Sequence, residues 1–133
     1  MRSATRFFPI ILGLLVIASP VLAHHGTNIS YDHNKPTLLK GTVTEFVWQN
    51  PHCQLYFDVK DDKGNIAHWA GELNSPSVMS RQGWTKRQFK AGEEIQLTVF
   101  PSKAGASVGV VDRTHAISVN GKEVVPANST NVD

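Results

Sequence analysis

Three histidines, His24, His25 and His52, are the residues whose types could carry chemistry in this chain. Histidine is the commonest side-chain metal ligand, and imidazole nitrogen suits copper and other transition metals. If proteolytic processing makes His24 the first residue, its α-amine becomes a second donor on the same residue. The reference pKa of that amine is about 7.7, so metal binding displaces its proton at modest cost near neutral pH. The sequence therefore predicts a copper or other transition-metal site formed by His24, His25 and His52.

Such processing is predicted by the first 23 residues, which have the pattern of a secretory signal peptide. Arg2 and Arg6 form a basic start, residues 7–17 form an apolar run, and Ala23 ends the cleavage site. The apolar run is too short to be a membrane span, so we expect no transmembrane span in the mature protein. The sequence predicts a periplasmic or secreted protein, cleaved after Ala23.

The charge balance argues against nucleic acid as a partner. The whole chain has 13 Lys and Arg against 11 Asp and Glu. Because Arg2 and Arg6 leave with the signal peptide, the mature chain is close to neutral, whereas nucleic-acid binding depends on clustered cations.

Cys53 is the only cysteine, so no intramolecular disulfide can form. We expect its thiol to be buried; pairing with another molecule and a ligand or reactive role are the alternatives.

The elements that must position these residues follow from hydrophobic alternation and turn residues. Residues 24–36 are polar and without a period, which predicts an irregular arm, and residues 126–133 read as a flexible tail. Gly41 indicates a bend or bulge within the first strand. Ser75 and Pro76 begin a short helix that ends before Gly83. Strands are predicted at residues 38–48, 54–60, 66–73, 95–100, 112–119 and 122–125.

Three strands, a short helix and two further strands are the element order of an OB-fold. The sequence therefore predicts a mainly β domain over residues 37–125. We expect a small OB-fold-like antiparallel β-barrel with one short helix between strands three and four. A β-sandwich-like or open antiparallel sheet with a covering helix is the alternative, because strand order does not follow from local pattern.

This fold sets a condition on the predicted metal site. His52 follows Pro51 in the loop between strands one and two. The arm of 13 residues spans at most roughly 43 Å at 3.3 Å per residue. The first strand separates the anchor of the arm from His52 by up to about 36 Å. We therefore expect that His24 meets His52 only if the arm folds back along strand one.

The remaining histidines and the cations support other interpretations. His33 lies in the arm, His115 lies in strand five, and His68 is predicted to be an outward strand residue. Four cations surround the helical segment and are typical of a solvated face, with a patch for an anionic surface partner as the functional alternative: Arg81, Lys86, Arg87 and Lys90.

No nucleophile elbow, phosphate loop or His-Glu-x-x-His pattern occurs in the sequence, so we predict no catalytic residues and no enzymatic activity. The leading hypothesis is a small exported binding protein for copper or another transition metal. The alternative is a metal-free envelope interaction or stress module. It would bind an envelope protein, another macromolecule or an anionic ligand through the barrel face.

The sequence contains several further short motifs: Gly41-Thr42-Val43, Trp48-Gln49-Asn50-Pro51-His52, Trp69 with Glu72, Ser75-Pro76 and Arg81-Gln82-Gly83-Trp84-Thr85. Together these motifs resemble those of a bacterial family of exported proteins known as a domain of unknown function. The resemblance covers most of residues 35–100, and His24-His25 match the His-His pair that begins the mature chain of family members. Gly26-Thr27 replace the Ser and aromatic residue that usually follow, and Cys53 lies outside the pattern. The resemblance implies an exported bacterial protein with a small β-barrel and implies no particular chemistry.

Overall fold

The computed structural model describes residues 30–125. The predicted signal peptide, His24, His25 and the tail at 126–133 lie outside the described residues. Within them lie one helix, α1 (Pro76–Arg81), and seven strands: β1 (Thr37–Val47), β2 (Gln54–Lys60), β3 (Ile66–Glu72), β4 (Glu94–Pro101), β5 (Val108–Val111), β6 (Ile117–Val119) and β7 (Lys122–Val125). No helix of this part of the chain is long and apolar enough to cross a bilayer.

The first five strands close into a barrel in the order β1-β2-β3-β5-β4, and β4 pairs back with β1. This closure confirms the predicted mainly β, OB-fold-like barrel with its helix between β3 and β4, and it excludes an open sheet. One pairing, β3 with β5, is parallel rather than antiparallel. Five strands around a ring cannot all alternate in direction, so one neighbouring pair has to run the same way. Strands β6 and β7 extend the sheet from β4.

Closure depends on β1, which pairs with two strands in succession. Its first half, from Thr37 to Thr42, pairs with β4, and its second half pairs with β2. The prediction of a bulge at Gly41 was wrong, because Gly41 pairs regularly with Ile95 and the register shift falls between Val43 and Glu45. Gly41 is needed for close approach instead: a Cβ there would overlap the carbonyl oxygen of Asp58.

The predicted fifth strand at residues 112–119 was wrong over its first part, because only residues 117–119 form a strand, β6, and residues 112–116 form the turn that connects β5 to it. Asp112 causes the break. Its Oδ1 accepts hydrogen bonds from the backbone N of Thr114 at 3.0 Å and from the Thr114 hydroxyl at 2.6 Å. A side chain that satisfies the backbone locally in this way competes with strand pairing.

The helix and the core follow the sequence pattern closely. The Ser75 hydroxyl accepts from the backbone N of Val78, Pro76 occupies the first turn, and Met79 is fully buried beneath the helix. Trp84 is buried and Trp69 stacks on Phe57 with ring centroids 6.4 Å apart, so both rings pack in or against the core. Among residues 30–125, fifteen buried apolar side chains form one cluster: Val43, Cys53, Leu55, Phe57, Leu73, Met79, Trp84, Phe89, Ile95, Leu97, Val99, Val111, Ile117, Val119 and Val125.

Candidate functional site

His52 is positioned by the hydrogen bonds that extend the β2–β3 ladder to the residue before the start of β2. The backbone N of Cys53 donates to Asn74 O, and the backbone N of Leu73 donates to Cys53 O, both at 2.9 Å. The Cys53 side chain is fully buried. Successive side chains of an extended chain point to opposite faces, so His52 projects outward, and its side chain is 47% exposed.

Glu72 joins His52 to the N-terminal arm. His52 Nδ1 lies 2.5 Å from Glu72 Oε1, and the Tyr31 hydroxyl donates to Glu72 Oε2 at 2.7 Å. An ionised carboxylate only accepts hydrogen bonds, so Nδ1 of His52 carries the proton and Nε2 is the ring nitrogen left for a ligand. Burial first, and then the hydrogen bond and charge of Glu72, raise the pKa of Tyr31, so its phenol stays protonated as a donor.

The arm reaches Glu72 because its described part is fixed to the barrel. Tyr31 forms an antiparallel bridge with Ser102. On either side of this bridge, Lys103 N donates to Ser30 O and Asp32 N donates to Pro101 O, both at 2.9 Å. The hypothesis that the arm must fold back along strand one was therefore wrong, because the arm lies against the Glu72–His52 pair by residue 31.

The physical reason is the tilt and shear of a closed barrel. Glu72 pairs with Val110, and Val110 pairs with Phe100. Thr37 pairs with Val99, the neighbour of Phe100 in β4. The start of β1 and the end of β3 therefore lie at the same end of the barrel when the path is followed through β4 and β5. The distance from the anchor of the arm to His52, when it is counted along β1, does not include this shorter path across β4 and β5.

A cavity of about 290 Å³ lies beside the pair, and His33 and His52 both line it. The His33 ring packs against Phe100 with centroids 4.7 Å apart. Arg113, whose side chain is almost wholly buried, also lines this cavity, and its Nη1 donates to Gln82 Oε1 at 2.6 Å. Two imidazoles, one from the arm and one from the barrel, thus border a single space.

Within residues 30–125, no group of three or more His, Cys, Asp or Glu side chains has an arrangement that could hold a metal ion. Of the predicted ligands, the structure places His52, and it adds His33 beside it. His24 and His25 lie outside the described residues.

Two other histidines also pair with carboxylates through Nδ1. His68 Nδ1 lies 2.6 Å from Asp58 Oδ1, and its side chain is 84% exposed, as predicted for an outward strand residue. His115 Nδ1 lies 2.9 Å from Oδ2 of the buried Asp112, in the turn after β5. Neither lines the cavity that His33 and His52 share. His68 therefore offers an internal reference for the pair at His52.

Cys53 is buried, as expected, and burial raises the pKa of its thiol. Both effects oppose formation of the thiolate that reacts or binds metal. The four predicted surface cations, Arg81, Lys86, Arg87 and Lys90, are all exposed around α1 and the turn that follows it.

The sequence interpretation missed Glu72 and Tyr31. A signal for Glu72 was present: the turn at residues 61–65 pairs Lys60 with Ile66, and counting back along both strands pairs Gln54 with Glu72. His52 then lies close to that carboxylate. Tyr31 had no comparable signal, because 41 residues separate it from Glu72 and barrel closure alone brings them together.

The fold and the site define a small closed β-barrel protein with a histidine–carboxylate–tyrosine cluster at one end of the barrel. The model of the family described as "Family of unknown function (DUF6152)" matches residues 12–122, so the chain belongs to this family. No curated protein and no solved structure matches the chain. The expected resemblance to a family of unknown function is thereby confirmed.

Proposed function

We propose that this protein is an exported, non-enzymatic binding protein for copper or a similar transition metal. The metal would be held by the amine and imidazole of His24, by His25 and by Nε2 of His52, with His33 beside them. The observation that carries this proposal is the contact of Tyr31 with the Glu72–His52 pair. It fixes the chain next to His52 only a few residues after the predicted mature N-terminus.

Chain length supports the reach of these donors. His24 precedes Ser30 by six residues, a span of at most about 20 Å. Ser30 is hydrogen-bonded to Lys103 next to the bridge of Tyr31, so the chain between His24 and Ser30 is long enough for the N-terminal donors to reach the cluster. Tethering raises the effective concentration of one set of donors near the other and so strengthens a shared site.

The donor chemistry favours copper among divalent metals. A site made of imidazole and amine nitrogens generally binds Cu²⁺ more tightly than it binds any other divalent first-row metal ion. The pairing of Nδ1 with Glu72 is also the arrangement found behind metal-bound histidines, where a carboxylate accepts from the nitrogen that does not bind the metal.

Titration of Cu²⁺ into mature protein that begins at His24, against a competing chelator, tests this proposal. We expect the His24→Ala, His25→Ala double variant to bind at least about tenfold more weakly, with His52→Ala also weakened. An extra residue before His24 should weaken binding because the free amine then belongs to another residue. His68→Ala is the matched control and should bind as the unmodified protein does. Unchanged binding by the double variant would exclude the N-terminal site.

The second candidate is the metal-free interaction module, and the exposed cations around α1 are the observation that favours it. A protein working in this way would bind vesicles that contain anionic lipid, and binding would fall as salt rises. The variant with Lys86, Arg87 and Lys90 changed to Gln should then lose vesicle binding. If it does so while copper binding is absent, this second function is the better one.

A further inference from the structure

We infer that Glu72 is a positioning residue for His52, fixed in turn by Tyr31, and that together they set which nitrogen of His52 binds the metal. The inference rests on the proposed function. It adds to that function two residues that do not touch the metal but determine its affinity and its coordination.

The carboxylate of Glu72 is used at both oxygens, one toward His52 and one toward Tyr31. The Tyr31 hydrogen bond prevents the carboxylate from turning away, because rotation would break one bond to form the other. Glu72 is 28% exposed, so solvent screens these contacts less than it would at a fully open surface. The imidazole is therefore oriented before any ligand binds.

The orientation of the imidazole by Glu72 strengthens metal binding in two ways. Hydrogen bonding at Nδ1 fixes the tautomer with Nε2 unprotonated, and the negative charge behind the ring makes Nε2 a better donor. Loss of such a partner commonly weakens metal binding by about 10-fold to 100-fold. The hydrogen bond between Tyr31 and Glu72 also attaches the arm to the barrel. Metal binding therefore strengthens the attachment of the arm by the same factor by which arm attachment strengthens metal binding.

The His68–Asp58 pair provides the matched control within the same chain. Its Nδ1-to-carboxylate distance of 2.6 Å is similar, yet His68 is far more exposed and does not line the cavity that His33 and His52 share. If a histidine–carboxylate pair anywhere on the surface contributed to copper binding, the two pairs would behave alike. The inference requires that they differ.

The experiment compares the mature protein with its Glu72→Gln, Tyr31→Phe and Asp58→Asn variants. Competition titration measures Cu²⁺ affinity, electron paramagnetic resonance reports the number of nitrogen ligands, and nitrogen NMR of the metal-free protein reports the His52 tautomer. We expect Glu72→Gln to weaken binding about 10-fold to 100-fold and to lose the fixed Nδ1–H tautomer. Tyr31→Phe should weaken binding about threefold to tenfold, and Asp58→Asn by less than about twofold.

The outcomes separate this inference from the function on which it rests. If the protein binds copper through His24 and His52 but Glu72→Gln binds equally well, the positioning role is wrong and the function stands. A His52 tautomer that is unchanged in metal-free Glu72→Gln overturns the inference without any use of copper. Failure of the unmodified protein to bind copper overturns the function, and the positioning role with it. Thermal unfolding of each variant confirms that the barrel has formed, and Tyr31→Phe provides a second variant if Glu72→Gln does not fold.

Discussion

The length of the segment between the N-terminal donors and the fixed arm should control copper affinity in a calculable way. His24 precedes Ser30 by six residues, and Ser30 is held on the barrel beside Glu72 and His52. Bringing the two ends of a flexible segment together costs conformational entropy. The free-energy cost grows as three halves of RT times the logarithm of the number of residues in the segment. Lengthening the segment should therefore weaken a site shared between its two ends and leave every ligand in place.

The expected loss of copper affinity on lengthening the segment is small and can be calculated. Six Gly and Ser residues inserted after Gly26 double the segment, which corresponds to about 0.6 kcal/mol or about threefold weaker binding. Eighteen inserted residues quadruple it and should weaken binding about eightfold. Competition titration of mature proteins with both insertions measures these ratios. The same insertions in a His52→Ala background are the control and should have no effect.

Two results would refute this reasoning. Affinity independent of segment length would mean that the N-terminal residues bind copper alone, without His52. A loss above about 30-fold on doubling would mean that the segment has a specific structure that the insertion disrupts, because chain entropy alone cannot produce it. Either result would remove the argument that Tyr31 tethers the donors to the barrel.

Three further predictions concern the barrel itself. Gly41→Ala should destabilise the protein by about 3 kcal/mol in denaturant unfolding, because the new Cβ overlaps the Asp58 carbonyl of the neighbouring strand. Gly92→Ala should cost only about 1–2 kcal/mol, since open space surrounds its positive φ of 88°; equal costs would contradict this account. Cys53 should react with iodoacetamide at least about a hundredfold more slowly in native than in unfolded protein, because the thiol is buried and its pKa is raised; fast native labelling would show that it is accessible. The hydrogen bonds of the turn at residues 61–65 hold the pKa of the Asp61 carboxyl below its usual value. The contribution of Asp61 to stability is therefore fully present above about pH 3.9, and it is lost as the pH falls through the lowered pKa. Carboxyl NMR should therefore give a midpoint below the ordinary value of an aspartate, and a midpoint above that value would contradict the turn geometry.

Local pattern was sufficient to predict most of this fold. Residues 54–60 alternate cleanly and form β2 with those bounds, and Pro76 begins the helix where its cap predicts. The prediction failed at residues 112–119, where only residues 117–119 form a strand and Asp112 stabilises a turn before them with its own side chain. Periodicity reports which face a residue occupies and does not detect a side chain that satisfies the backbone locally.

The candidate site was less accessible to sequence reasoning, for a different reason. His52 could be predicted because Pro51 places it in a loop and its residue type is informative by itself. Tyr31 carries no such mark, and its contact with Glu72 exists only because β1 pairs with β4 and β3 pairs with β5. Contacts that close a barrel are set by shear, which is a property of all five strands together.

This dependence on closure has a consequence for how the site and the fold are linked. His52 lies after β1, Glu72 ends β3, and Tyr31 precedes β1 while it bridges to Ser102 after β4. The cluster therefore assembles only when both closing pairings have formed, and a metal that binds it favours the closed barrel over every open arrangement. Copper should consequently raise the unfolding temperature of the protein, and at the same copper concentration it should raise that of the Glu72→Gln variant by less. A metal held by the N-terminal residues alone would stabilise neither protein.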